Sequence, residues 1–135
     1  MAPEVVLRKL GVLRRLLRDL EPFAGSSVEQ IESEHYKIER ILELLATASS
    51  DLLQHLLAER EVIAASYRDV FRHAATAGLL ESSLSRRLEE AAGMRNVLVH
   101  LYDEIDTAIL HGSIGPALRD FAALIAALEP FGREP

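Results

Sequence analysis

The sequence predicts an all-α protein, an up-and-down bundle of about five helices. Three observations carry that expectation. Apolar residues recur at three- and four-residue steps in each long segment, as in Val6, Leu10, Leu13, Leu17 and Leu20, the repeat of a helix with one buried face. No segment alternates apolar and polar residues as a half-buried strand would. The interruptions are short and rich in Gly, Ser and Pro, which suits tight connections between neighbouring helices.

The first helix is expected from Pro3 or Glu4 to about Leu20, because proline fits a first helical turn and Pro22 stops the run. Its outer side carries Arg8, Lys9, Arg14, Arg15 and Arg18, readable as a solvated face or as an RNA-phosphate contact. Gly25 to Ser27 form a break, and Ser26 with Glu29, or Ser27 with Gln30, fits a capping box. A long helix follows to about Ala58, with Ile31, Ile38, Leu42, Leu45, Leu52 and Leu56 inward. Its weaker helix formers, Ala46 to Ser50, predict a bend. Ser66 caps a short helix to about Ala77, with Tyr67, Val70, Phe71 and Ala74 inward and His73 outward, and Gly78 stops it. Leu84, Leu88 and Ala91 open a fourth helix that runs through Gly93, whose missing side chain leaves room for a bend or a close neighbouring chain. His111, Gly112, Ser113, Gly115 and Pro116 predict the next break. Leu118, Phe121, Ile125 and Leu128 then form the last helix, closed by Pro130.

A chain of 135 residues is expected to form one domain, residues 1–135, with a single core. Apolar residues make up 49%, yet no run approaches the length of a membrane span. There is no signal-peptide pattern, no lipidation motif and no cysteine, so a cytoplasmic protein without disulfides is expected. The net charge of −6 argues against a protein that coats nucleic acid broadly. It leaves room for a local basic cleft, and neither DNA nor a membrane is an expected partner. Thirteen of the fifteen basic residues are arginine, the side chain suited to two-pronged phosphate contacts.

The chain has no phosphate-binding glycine loop, zinc-ligand set or nucleophile elbow. Glu32 and His35 give one E-x-x-H element of the kind used in di-iron bundles, but such a site needs a second copy and two further Glu. Asp51 and His55, four apart, could share a metal or a hydrogen bond. No metal and no cofactor is expected.

The richest chemistry lies in Gly93 to Asp106, G-M-R-N-V-L-V-H-L-Y-D-E-I-D. Arg95, Asn96, His100 and Tyr102 stand inside an apolar helical stripe. Asn96 and His100 are four apart and stack on one face, with Asp103 and Glu104 about a turn beyond. Arg95 and His100 are five apart, about 140° around an ideal helix. They converge on one ligand only if Arg95 reaches round, the helix distorts, or a second copy supplies one of them. RNA brings its own nucleophile, the 2′-hydroxyl, so acid/base groups and a cation suffice to cleave it. Histidine titrates near neutrality and can take either proton role. Arginine stays cationic and can hold two phosphate oxygens. Asn96 can orient the imidazole or the phosphate. One histidine is too few for an acid and a base at once, which again points to two copies.

The segment R-N-V-L-V-H-L-Y resembles the R-x4-H-x-Y motif of HepT-like toxins in the HEPN superfamily of small helical ribonucleases. Arg95, His100 and Tyr102 match the three motif positions, and Asn96 matches the polar residue that commonly follows the arginine. The segments E-V-V-L-R-K-L-G-V-L-R-R-L, H-Y-K-I-E-R-I, D-L-L-Q-H-L-L and S-Y-R-D-V-F are also similar in order and spacing. The resemblance therefore covers most of the chain. It implies a HEPN-like bundle acting as the toxin of a toxin–antitoxin system, a metal-independent endoribonuclease, with tRNA the expected substrate. It implies catalytic Arg95, Asn96 and His100 at a homodimer cleft, with Asp51, His55 and Asp103 as candidate supports. It further implies that a cognate minimal nucleotidyltransferase antitoxin transfers AMP to Tyr102, in a complex that can extend to a larger hetero-oligomer. The alternative is a non-catalytic helical binding or regulatory partner of a nucleotidyltransferase, which would tolerate His100→Ala.

Overall fold

The computed structural model describes residues 3–100 and 107–133, the side chains of 94–100 excepted. Helix α1 runs Pro3–Leu20 and buries Val6, Leu10, Leu13 and Leu20 of the expected stripe, with Leu17 half-buried. A 3-10 turn, Glu21–Phe23, with Pro22 near its start, ends it. Helix α2, Val28–Ser33, begins on a complete capping box. The Gln30 amide donates to Ser27 Oγ at 3.2 Å, and the Ser27 amide donates to Gln30 Oε1 at 3.0 Å.

Helix α3 spans His35–Ala58. The single helix expected up to Ala58 is thus divided at Glu34, where φ is −109° and ψ is 18°. The division is slight, since the Glu34 amide still reaches the Gln30 carbonyl and the Ile38 amide the Glu34 carbonyl, both at 3.1 Å. Segment α2 packs on α6, Thr107–Leu128, while α3 reaches α1 as well as α6. Helix α3 runs unbroken through Ala46 to Ser50, the stretch whose composition suggested a bend. Ala46, Ser49 and Ser50 are buried, and small side chains there admit close neighbours, so packing outweighs weak helix propensity.

Two left-handed residues turn the chain at helix ends. After α3, Glu61 sits at φ 59°, and the Val62 and Glu61 amides close back on the Leu57 and Ala58 carbonyls, both at 3.0 Å. After α4, Asp69–Thr76, Gly78 sits at φ 79°, and Leu79 and Gly78 close on Ala74 and Ala75 at 2.9 and 3.1 Å. Both are Schellman closures, and only the second has the glycine that such a position favours. Ser66 Oγ accepts from the Asp69 amide at 3.2 Å and so prepares the start of α4.

Helix α5 spans Ser82–His100. Helix α6 is continuous through Pro116, so the break expected at His111 to Pro116 is not there. An internal proline costs roughly 3 kcal/mol and presses on the carbonyl four residues back. That residue is Gly112, with open space around it. Leu110, Ile114, Ala117, Phe121 and Leu124 are buried on both sides of the proline, and each large apolar side chain contributes about 1.5–3 kcal/mol. Burial along the whole stripe outweighs the local defect. A 3-10 turn, Glu129–Gly132, follows.

Six helices and no strand are present among the described residues. Helix α3 is central: α1, α4, α5 and α6 all pack on it. Phe71 and Phe121 are the largest side chains fully enclosed in the core. No helix among the described residues is long and apolar enough to cross a membrane.

Candidate active site

Arg95, Asn96 and His100 fall in the last two turns of α5. Their side chains, and the whole of Tyr102 and Asp103, lie outside the described residues. What the structure defines is the frame that presents them. Leu84, Leu88 and Ala92 bury one side of α5 in the core. The Ser85 hydroxyl donates to the Phe71 carbonyl of α4. Arg72 of α4 pairs with Glu89 at 2.6 Å, a hydrogen bond that, with the nearby carboxylates, holds the guanidinium protonated beyond its ordinary range. These contacts run α4 along the flank of α5 that leads to Gly93.

At Gly93 the helix continues without a break. The neighbour that fills the missing side chain belongs to the same chain. A Cβ built on Gly93 would stand 3.2 Å from the guanidinium carbon of Arg68 and 3.3 and 3.5 Å from its terminal nitrogens. By the helical repeat, positions seven apart differ by only about 20°. Positions 86, 93 and 100 therefore form one row along α5, and position 96 lies on the same side.

On the opposite flank, Asp120 of α6 is only 4% exposed. It accepts from Arg87 Nε at 3.0 Å, and from Arg119 Nε at 3.1 Å and Nη2 at 3.4 Å. The hydrogen bond to Asp120 raises the Arg119 guanidinium above its ordinary range. The Arg87–Asp120 pair ties α5 to α6 beside a cavity of about 240 Å³ lined by Leu42, Glu90, Pro116 and Phe121, among others. Sequence reasoning missed this anchor. The signal was an acid one step from Phe121, inside the buried stripe, with an arginine on each of two helices to meet it.

Asp51 and His55 are exposed on α3. Asp51 pairs with Lys9 of α1, and its other oxygen lies 3.7 Å from His55 Nε2. Neither has an ion pair to α5 among the described residues. His35 meets Glu39 at 2.7 Å, while Glu32 is exposed on the separate helix α2. Among the described residues no group of three or more His, Asp or Glu is placed to hold a metal ion. The basic side of α1 is divided. Lys9 and Arg14 pair with Asp51 and Glu129, and Arg8, Arg15 and Arg18 are exposed.

The profile of the family described as Ribonuclease HepT-like matches residues 13–128. The chain is 25% identical over 134 residues to the tRNA nuclease HepT of Aphanizomenon flos-aquae, covering 96% of this chain and 90% of that one. It is 24% identical over 129 residues to the mRNA nuclease HepT of Shewanella oneidensis, covering 93% and 97% of the two chains. Its fold matches that of a tri-AMPylated Shewanella oneidensis HEPN toxin solved in complex with MNT antitoxin, with a TM-score of 0.83, 24% identity, and 93% and 97% of the two chains covered. With the family profile spanning all but the ends of the chain, from α1 to the last residue of α6, this protein is a member of the HepT-like ribonuclease family.

Proposed function

We propose that this chain is the toxin of a toxin–antitoxin pair, an endoribonuclease that cleaves RNA without a metal at a cleft between two copies. The observation that carries the reading is the intact R-x4-H-x-Y motif, Arg95, His100 and Tyr102, in a chain of this family, with Arg95 and His100 at the end of α5. The nuclease names of both relatives support it.

In the proposed reaction the 2′-oxygen attacks the adjacent phosphorus and the bond to the 5′-oxygen breaks. One His100 takes the 2′-hydroxyl proton, and His100 of a second copy delivers a proton to the leaving 5′-oxygen. Arg95 neutralises charge on the phosphorane, and Asn96 orients the imidazole or the phosphate. The products are a 2′,3′-cyclic phosphate and a free 5′-hydroxyl. Pairing two copies also answers the five-residue spacing of Arg95 and His100, which keeps the two apart on a single helix.

Control is proposed to act through Tyr102. Its hydroxyl attacks the α-phosphate of ATP on a partner nucleotidyltransferase, pyrophosphate leaves, and AMP stays attached through a phosphodiester. The added phosphate occupies the place where Arg95 receives RNA. The AMPylated toxin solved in complex with MNT antitoxin supports this part.

Incubation of the purified protein with tRNA in EDTA tests the catalytic reading. Fragments ending in cyclic phosphate, absent with His100→Ala, are expected. Unchanged tRNA, or equal cleavage by His100→Ala, would reject it.

A further inference from the structure

Resting on the ribonuclease reading above, we propose that Arg68 and Arg86 form a phosphate track along α5, which seats the RNA backbone beside the linkage that is cut. They are positioning residues. Both are exposed. Neither guanidinium has an ion pair or hydrogen bond among the described residues, whereas Arg14, Arg72, Arg87 and Arg119 each hold a carboxylate. Among the described residues, the acids close to Arg68 and Arg86 in sequence do not pair with them. Asp69 and Glu89 are engaged by Arg72, and Glu90, one turn from Arg86, forms no ion pair with it.

The placement of Arg68 is specific. Its guanidinium lies within 3.2–3.5 Å of the Cβ position of Gly93, so the space left by a glycine inside a helix is filled by a cation from the start of α4. Glycine there costs about 1 kcal/mol against alanine, and the guanidinium gives that cost a reason. The seat of Arg68 is in the row of positions 86, 93 and 100. Seven residues of helix advance about 10 Å, so Arg86, Arg68 and the His100 position follow one another at nearly equal steps along one face. At that distance from position 100, Arg68 meets a phosphate next to the scissile one and not the scissile one itself. Two guanidinium groups that hold no carboxylate among the described residues are suited to take phosphate oxygens in pairs. The track also gives a protein of net charge −6 a local cationic path for a polyanion.

The test separates binding from cleavage. Fluorescently labelled tRNA is titrated with the His100→Ala protein, expected not to cleave, over a series of salt concentrations. Adding Arg68→Ala is expected to weaken binding about tenfold. The slope of log affinity against log salt should fall by roughly 0.7 for each phosphate contact removed from a single strand. Adding Arg86→Ala as well should lower it again by a similar amount. Arg68→Lys should keep most of the slope, because the charge remains. In the otherwise native enzyme, Arg68→Ala should raise KM and leave kcat within about threefold. Unchanged affinity and slope in the Arg68→Ala and Arg86→Ala variants would overturn the track, as would a fall in kcat at constant KM. Thermal unfolding of each variant checks the fold, and Arg68→Lys carries the test if the alanine variant melts early. If native protein fails to cut tRNA, the ribonuclease reading fails by that separate measurement, and the binding arms still report on the track.

Discussion

Replacing Gly93 by alanine should make the protein more stable and a poorer RNA binder. Glycine inside a helix is less favourable than alanine by about 1 kcal/mol. Gly93 is not among the residues with positive φ, so alanine fits its backbone. The added Cβ would meet the Arg68 guanidinium at 3.2 Å, a few tenths of an ångström inside ordinary contact. That group is the free end of an exposed side chain, and moving it forfeits a handful of contacts at about 0.1–0.2 kcal/mol each. The net gain is about 0.5 kcal/mol, or about 2 °C in Tm for a domain of this size. The same displacement lifts a cation from the proposed RNA path. Differential scanning calorimetry and tRNA titration on the His100→Ala background measure the two effects. A lower Tm would refute the packing argument. A higher Tm with undiminished tRNA affinity would refute the role given to the Arg68 seat.

Glu61→Gly should raise the urea midpoint, because an L-residue at φ 59° carries roughly 1–2 kcal/mol of strain that glycine lacks, less the entropy glycine loses on folding. Phe71→Ala should cost about 3–5 kcal/mol, since that ring is fully enclosed; a loss below 1 kcal/mol in urea unfolding would show the core to be wrongly described. Glu129→Gln should flatten the acid limb of the stability curve. The hydrogen bond from Arg14 holds the Glu129 carboxyl below its ordinary value near 4.5. A depressed acid stabilises the fold above its unfolded value and loses that contribution as pH falls through the folded one. The parent should therefore lose this component only below about pH 4.5, and the glutamine variant should not, as thermal melts from pH 6 to 3 would show.

The parts of the fold legible in the sequence are those fixed by neighbours along the chain. The stripe of Val6, Leu10 and Leu13, the Ser27–Gln30 box and the left-handed Gly78 each depend on residues a few positions apart, and each is where the spacing put it. The errors come from long-range packing. Pro116 looked like a stop because the burial of Ile114 and Phe121 around it is a tertiary fact. Ala46 to Ser50 looked like a weak stretch because the burial of Ala46, Ser49 and Ser50 could not be read locally. The site divides in the same way. Arg95, Asn96, His100 and Tyr102 could be named from a motif. The Arg87–Asp120 anchor and the seating of Arg68 on Gly93 join distant segments and became visible only with the helices assembled. Gly93 did leave a trace, a glycine at a cost inside a helix, but nothing local said which residue would fill the space.

The central claim, that two copies pool their motifs in one cleft, is tested most directly by diluting the native chain with its own His100→Ala variant. The two are co-expressed in equal amounts, purified as the random mixture of dimers, and assayed on tRNA in EDTA. If both imidazoles of a two-fold pair serve one shared site, only native pairs cut, and activity should fall to about one quarter of that of the undiluted protein. Retention of about one half would mean that each copy holds a complete site of its own, and would contradict the shared cleft.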